Sequence, residues 1–118
     1  MAATAVEAWD ERWATPEGRA DWLVPHTAVA AVVPMLKARG TQHVLDLGCG
    51  VGRHALLFAE HGFGVEAING AIAGLDFARR EAASRGLQLS LRQADADALP
   101  FGDESFDYVL SWMSSFAT

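Results

Sequence analysis

The spacing of hydrophobic positions along this chain changes near residue 43. Before that point Val6, Trp9 and Trp13 recur three and four residues apart, which predicts an amphipathic helix over residues 1–13. Thr15-Pro16-Glu17-Gly18 interrupts it, and Pro25 opens a second helix that runs to residue 38, closed by the cation and glycine of Arg39-Gly40. From residue 43 the run HVLDL reads as a short apolar strand leading into the glycine cluster Gly48-Cys-Gly-Val-Gly52. A helix over 53–61 follows and ends at Gly62; residues 64–68 form a second strand. Ile72, Leu75, Ala78 and Ala82 mark the inner face of a helix over 71–85, capped by Gly86, and residues 87–92 alternate as a third strand. A loop containing Leu99-Pro100-Phe101-Gly102 leads to a fourth strand over 106–112. Asn69-Gly70 could instead be a two-residue hairpin turn, but the helical spacing that follows favours a helix. Strands separated by such helices make parallel βαβ units with right-handed crossovers. The expected architecture is therefore one α/β unit: a helical extension over 1–40 and a parallel sheet with flanking helices over 41–118.

Composition narrows the function. With 118 residues, 51% of them hydrophobic, one domain can bury a core. The formal net charge of −6 disfavours nucleic acid, whose phosphates are held by Lys and Arg. No apolar run approaches the roughly twenty residues of a membrane span, the N-terminus does not read as a signal peptide, and the expectation is no membrane association. A lone cysteine, Cys49, allows neither an internal disulfide nor a thiolate zinc cluster, so a reducing cytoplasm is the default compartment. His26, His43, His54 and His61 carry no metal-ligand spacing, and no metal is expected. Cys49 reads as a small residue between glycines, with no base nearby to make it a nucleophile.

The glycine cluster carries the chemistry. A strand ending in glycines that turn directly into a helix brings backbone N–H groups close to a ligand. A P-loop would need Gly-Lys-Ser or Gly-Lys-Thr, and this chain has no Gly-Lys pair. A dinucleotide fingerprint would place a small residue at position 53, where this chain has Arg53; the spacing is G-x-G-x-G. Asp46, just ahead of the first glycine, would repel a pyrophosphate but suits an ammonium group. It lies too far ahead of the helix to be expected as its N-cap.

Residues 44–54, VLDLGCGVGRH, strongly resemble motif I of the class I S-adenosylmethionine-dependent methyltransferases. The resemblance extends over residues 41–112, through QADADALPF at 93–101 and SFDYVLSW at 105–112. The Gly-Arg-His continuation and the opening WDERW at 9–13 are similar to small-molecule methyltransferases of the tellurite-resistance and thiopurine type. The resemblance implies a Rossmann-like parallel sheet in the order 3-2-1-4, S-adenosyl-L-methionine as cofactor and a small-molecule acceptor. It places Gly48, Cys49 and Gly50 against the methionine part, Asp46 at its amino group and Arg53 at its carboxylate, although Arg53 could equally be an exposed helix arginine.

Other roles follow from the same resemblance. Asp95 would accept from the adenine amine and the Ala96 N–H would face an adenine nitrogen, with Leu99 and Phe101 either as walls or as core packing. Ser111 would reach the methyl-transfer crevice, with Trp112 beside it. Asn69, followed by Gly70, stands where the family usually has an acid that accepts from both ribose hydroxyls. An amide offers one acceptor and no charge, so about 1 to 2 kcal/mol of affinity, or tenfold, is expected to be lost. Glu66 sits three residues too early to replace it. Trp9, Trp13 and Trp22 are candidates for a lid or for core packing.

The family's sheet has seven strands, whereas this sequence ends just past the fourth. The fourth strand would then be an open apolar edge. A homo-oligomer through that edge, strand exchange, or a piece of a longer enzyme is expected. A catalytically silent binding or scaffold module with the same fold stays open as the alternative.

Overall fold

The computed structural model describes residues 5–94 and 106–111, with side chains from residue 7 onward. Its centre is a four-stranded, all-parallel sheet in the order β3-β2-β1-β4. β1 is His43–Leu47, β2 Gly64–Asn69, β3 Ser90–Gln93 and β4 Tyr108–Leu110. In β1 three successive residues, Val44, Leu45 and Asp46, are buried, because helices and neighbouring strands cover both faces of a central parallel strand. Asp46 stands in register with Ala67 of β2 and Leu110 of β4. At the opposite end, Asp107 accepts from the Gln42 and His43 amides at 2.9 and 3.0 Å and ties β4 to β1.

Around the sheet lie α1 (Ala5–Trp13), α2 (Pro16–Arg19), a 3-10 turn η1 (Ala20–Trp22), α3 (Thr27–Ala30), α4 (Val33–Ala38), α5 (Arg53–Glu60) and α6 (Ile72–Ser84). The main core joins Val29, Leu36, Val44, Phe58, Val65 and Leu75. A second cluster of Trp13, Val51 and Ala71, bordered by Trp9, Trp22 and Phe77, holds the N-terminal segment against the body.

Several sequence expectations are corrected here. The stretch from Thr15 to Gly18 does interrupt the first helix, and it also starts a further short one, α2, that the sequence did not announce: Pro16 supplies a preset φ, and the Thr15 hydroxyl accepts from the Gly18 amide at 3.1 Å. The single helix expected over 25–38 is two, α3 and α4, with a turn at residues 31–32; Pro34 has no amide to continue the ladder back to Ala30. On α6 the buried face is Gly74, Leu75, Ala78 and Ala82, while Ile72 is half exposed. The small residues are required there, since a Cβ on Gly74 would stand 2.5 Å from the Gly50 carbonyl oxygen. The third strand begins three residues later than expected. The Leu87 amide is committed to Ala82 O at 2.9 Å and that of Gly86 to Ala83 O at 3.2 Å, a Schellman ending that keeps Leu87 with the helix. The Asn69-Gly70 hairpin does not form, because β2 runs on to α6 instead.

Candidate functional site

Parallel strands put the ends of β1, β2 and β4 along one edge of the sheet, and the glycine cluster turns over that edge. Gly48, Gly50 and Gly52 all have positive φ, at 71°, 58° and 87°. These are left-handed conformations that other residues adopt only at a cost, so the G-x-G-x-G spacing is a backbone requirement. The amides of Gly48 and Cys49 both donate to the Ile68 carbonyl, at 2.8 and 2.9 Å, which pins the loop to the end of β2. Two of the loop's donors are thus turned towards the protein, which suits a diphosphate poorly.

Asp46 is 3% exposed. Burial pushes its carboxyl from the ordinary 3.8 up to about 7; a hydrogen bond from the Ala55 amide and the charge of Arg53 oppose that rise. The bond to Ala55 corrects the expectation that Asp46 is too distant to cap. Gly52, the N-cap of α5, has no side chain, and the loop folds back so that Asp46 satisfies an amide in the first turn of the helix.

Asp46, the loop from Gly48 to Val51, Arg53, His54, Trp13 and Trp22 line one narrow pocket. Arg53 is half-buried rather than a plain surface arginine: it donates to Val24 O at 3.1 Å and its guanidinium stands 5.2 Å over the Trp22 ring. Cys49 is buried, and burial beside Asp46 pushes its thiol well above the usual range, so it stays protonated. That agrees with a packing role.

Asn69 and Gly70 lie at the end of β2 on the same edge. The Asn69 amide donates to Ala71 O at 3.1 Å, and the Gln93 amide donates to Gly70 O at 3.2 Å. Glu66 lies three residues earlier in β2, with Arg92 Nε 3.6 Å from its Oε1. Ser111 follows β4 and is exposed. Asp95, Ala96, Leu99, Phe101 and Trp112 lie outside the described residues.

Two contacts were not legible beforehand. Asp10 on α1 accepts from the Ala73 amide at 2.8 Å, serving as the cap that Ala71 cannot be. Buried His54 accepts from the His26 amide at 3.1 Å, and burial, with Arg53 and His26 nearby, lowers its pKa from 6.5 to about 4. The tryptophans form one cluster: Trp9 and Trp13 stack at 5.0 Å, and Trp22 meets both edge-on. Trp13 lies under the glycine loop at 2% exposure, where a Cβ on Gly50 would be 3.2 Å from its ring. Among the described residues no cluster of His, Cys, Asp or Glu could hold a metal, and no helix is long and apolar enough to cross a membrane.

A parallel sheet in this order, with a glycine turn and a buried acid at the end of its first strand, is the architecture of the class I methyltransferases. The family model of the methyltransferase domain matches residues 44–118, and the chain belongs to that family. It is 39% identical over 79 residues to the demethylmenaquinone methyltransferase of Thermus thermophilus, covering 65% of this chain and 36% of that protein. The solved structure of PH0226 from Pyrococcus horikoshii is 33% identical with a TM-score of 0.60, over 70% of this chain and 40% of the other. TehB from Haemophilus influenzae, at 24% identity, shares the fold with a TM-score of 0.65 over 85% of this chain and 34% of its own. The chain thus spans little more than a third of the length of that curated relative, and less of others it matches.

Proposed function

We propose that this chain supplies the cofactor-binding part of an enzyme that transfers a methyl group from S-adenosyl-L-methionine to a small molecule. The observation that carries this reading is Asp46: a carboxyl buried at the floor of the pocket, its ionised form made costly by desolvation, is matched by a ligand that brings its own ammonium group. The glycine loop fits the same ligand, because it permits close backbone approach while two of its amides point away from the pocket. When bound, the cofactor supplies an electrophilic methyl group on a sulfonium. The residues of this chain bind and orient it: Asp46 holds the ammonium, Gly48, Cys49 and Gly50 shape the wall, and Trp13 and Trp22 keep water from the tail. Asn69 and Gly70 lie where the ribose would sit, Ser111 at the crevice for the acceptor, and Asp95 and Ala96 are assigned to adenine by family resemblance.

A small-molecule acceptor is supported by the Thermus relative, whose name states demethylmenaquinone as its substrate. The lone buried cysteine suits a reducing cytoplasm. Val109 on β4 is about half exposed, and pairing along that strand makes a homo-oligomer the expected state; a monomeric mass by light scattering at high concentration argues against it.

Calorimetric titration with S-adenosylmethionine, S-adenosylhomocysteine and NAD tests the cofactor assignment. Binding of the first two and not NAD is expected. Binding of NAD alone overturns the reading, and binding of none favours a silent scaffold with the same fold.

A further inference from the structure

One residue that lines the pocket beside Asp46 carries a polar group that the fold leaves without a use. Trp22 ends η1 and lines that pocket, and its indole Nε1 is shielded from solvent with no hydrogen-bond partner among the described residues. A buried donor without an acceptor costs about 1 to 3 kcal/mol, and in a native protein such a group calls for an explanation. The ring is also held firmly. It stands edge-on to Trp9 at 5.5 Å and to Trp13 at 5.6 Å, beneath the Arg53 guanidinium. Arg53 uses one nitrogen on Val24 O, and a guanidinium carries five N–H donors in all. The residues that line the pocket therefore supply two poles: an acid at the end of β1, and the Arg53 cation beside the Trp22 ring, whose shielded N–H becomes usable with a small shift of that ring.

We infer that the Trp22 Nε1–H, together with Arg53, holds the carboxylate of the cofactor's amino-acid tail while Asp46 holds its ammonium. This inference rests on the reading of the site given above and adds a residue to it. A zwitterionic tail satisfies both poles at once: the indole gains the acceptor it lacks, and a carboxylate between two donors is held by charge-assisted bonds. It also gives the N-terminal segment a part in cofactor binding, since Trp22 is brought to the pocket by the docking of α1 through Trp13 and Asp10.

The variant Trp22→Phe keeps an aromatic ring and removes the donor. Parent and variant are titrated calorimetrically with S-adenosylhomocysteine and with 5′-methylthioadenosine, which has the same nucleoside and no amino-acid tail. The expected result is about a tenfold loss of affinity for S-adenosylhomocysteine and none for 5′-methylthioadenosine. Equal losses for both ligands would mark a packing role and overturn the inference, as would no loss for either. Failure of the parent to bind S-adenosylhomocysteine overturns the cofactor reading itself. A measurement on the parent alone stands independently of how well the variant folds. In a 15N NMR spectrum the Trp22 indole N–H, identified by its absence from Trp22→Phe, moves downfield with S-adenosylhomocysteine and stays in place with 5′-methylthioadenosine. An indole resonance indifferent to S-adenosylhomocysteine contradicts the inference.

Discussion

Replacing Asp46 by Asn is expected to make the empty protein more stable in alkaline solution while weakening its ligand binding. The Asp46 carboxyl rises from 3.8 unfolded to about 7 folded, so its ionised form costs about 4 kcal/mol in the folded state at about 1.4 kcal/mol per tenfold. A raised value means that the stability carried by the protonated form is complete below pH 3.8 and is lost as pH rises through 7. Between pH 5 and pH 8 the parent therefore loses about 2 to 3 kcal/mol that Asp46→Asn does not lose. The amide oxygen of Asn can still accept from Ala55, so the first turn of α5 keeps its partner. Urea denaturation of both proteins at the two pH values reads the difference, because every other titrating group cancels between them. A gap in stability that is the same at pH 5 and pH 8 refutes the claim that burial of Asp46 outweighs the Ala55 amide and the Arg53 charge. Affinity for S-adenosylhomocysteine is expected to fall on the order of a hundredfold, since a charge-assisted bond to the ammonium disappears.

Three further outcomes follow from the same contacts. Asn69→Asp restores a two-oxygen acceptor at the end of β2 and is expected to tighten S-adenosylhomocysteine binding about tenfold by calorimetry; unchanged affinity would sink the ribose assignment of that position. Gly52→Ala combines a φ of 87° with a Cβ that would stand 2.7 Å from the Ala78 Cβ, a loss of about 2 to 4 kcal/mol in urea unfolding. Adding Ala78→Gly recovers only the steric part, and full recovery would contradict the role given to the backbone. His54, whose folded pKa is lowered to about 4, contributes stability that is present above pH 6.5 and lost as pH falls through 4. His54→Gln keeps an acceptor for the His26 amide without titrating, so the parent loses about 2 kcal/mol relative to it between pH 7 and pH 4.5; parallel pH curves would refute this.

What the sequence revealed and what it hid have a common physical origin. The change from helical spacing to short apolar runs at residue 43, and the glycines at 48, 50 and 52, are local signals, and the parallel strands and the turn follow from them, whereas the strand order was implied by the resemblance of residues 44–54 to a family motif. Asp46 was legible as a charge beside a glycine turn. Its bond to Ala55 was not, because it depends on the loop folding back on the strand. Asp10 with Ala73, and His26 with His54, are separated by 63 and 28 residues and meet only through tertiary packing. The inner face of α6 was misread at Ile72 for a related reason. A tally of hydrophobic positions gives no weight to Gly74, yet closeness to Gly50 places that glycine inward. The tryptophan spacing indicated a shared face, and only the packed structure leaves the Trp22 indole facing no acceptor.

The most direct test of the whole account is a crystal structure of this chain soaked with S-adenosylhomocysteine. The ligand's amino nitrogen is expected within about 3 Å of an Asp46 carboxylate oxygen, beneath the turn formed by Gly48 to Gly50. A ligand lying elsewhere with that carboxylate still unmatched, or a diphosphate from an added dinucleotide seated on the turn, would contradict it.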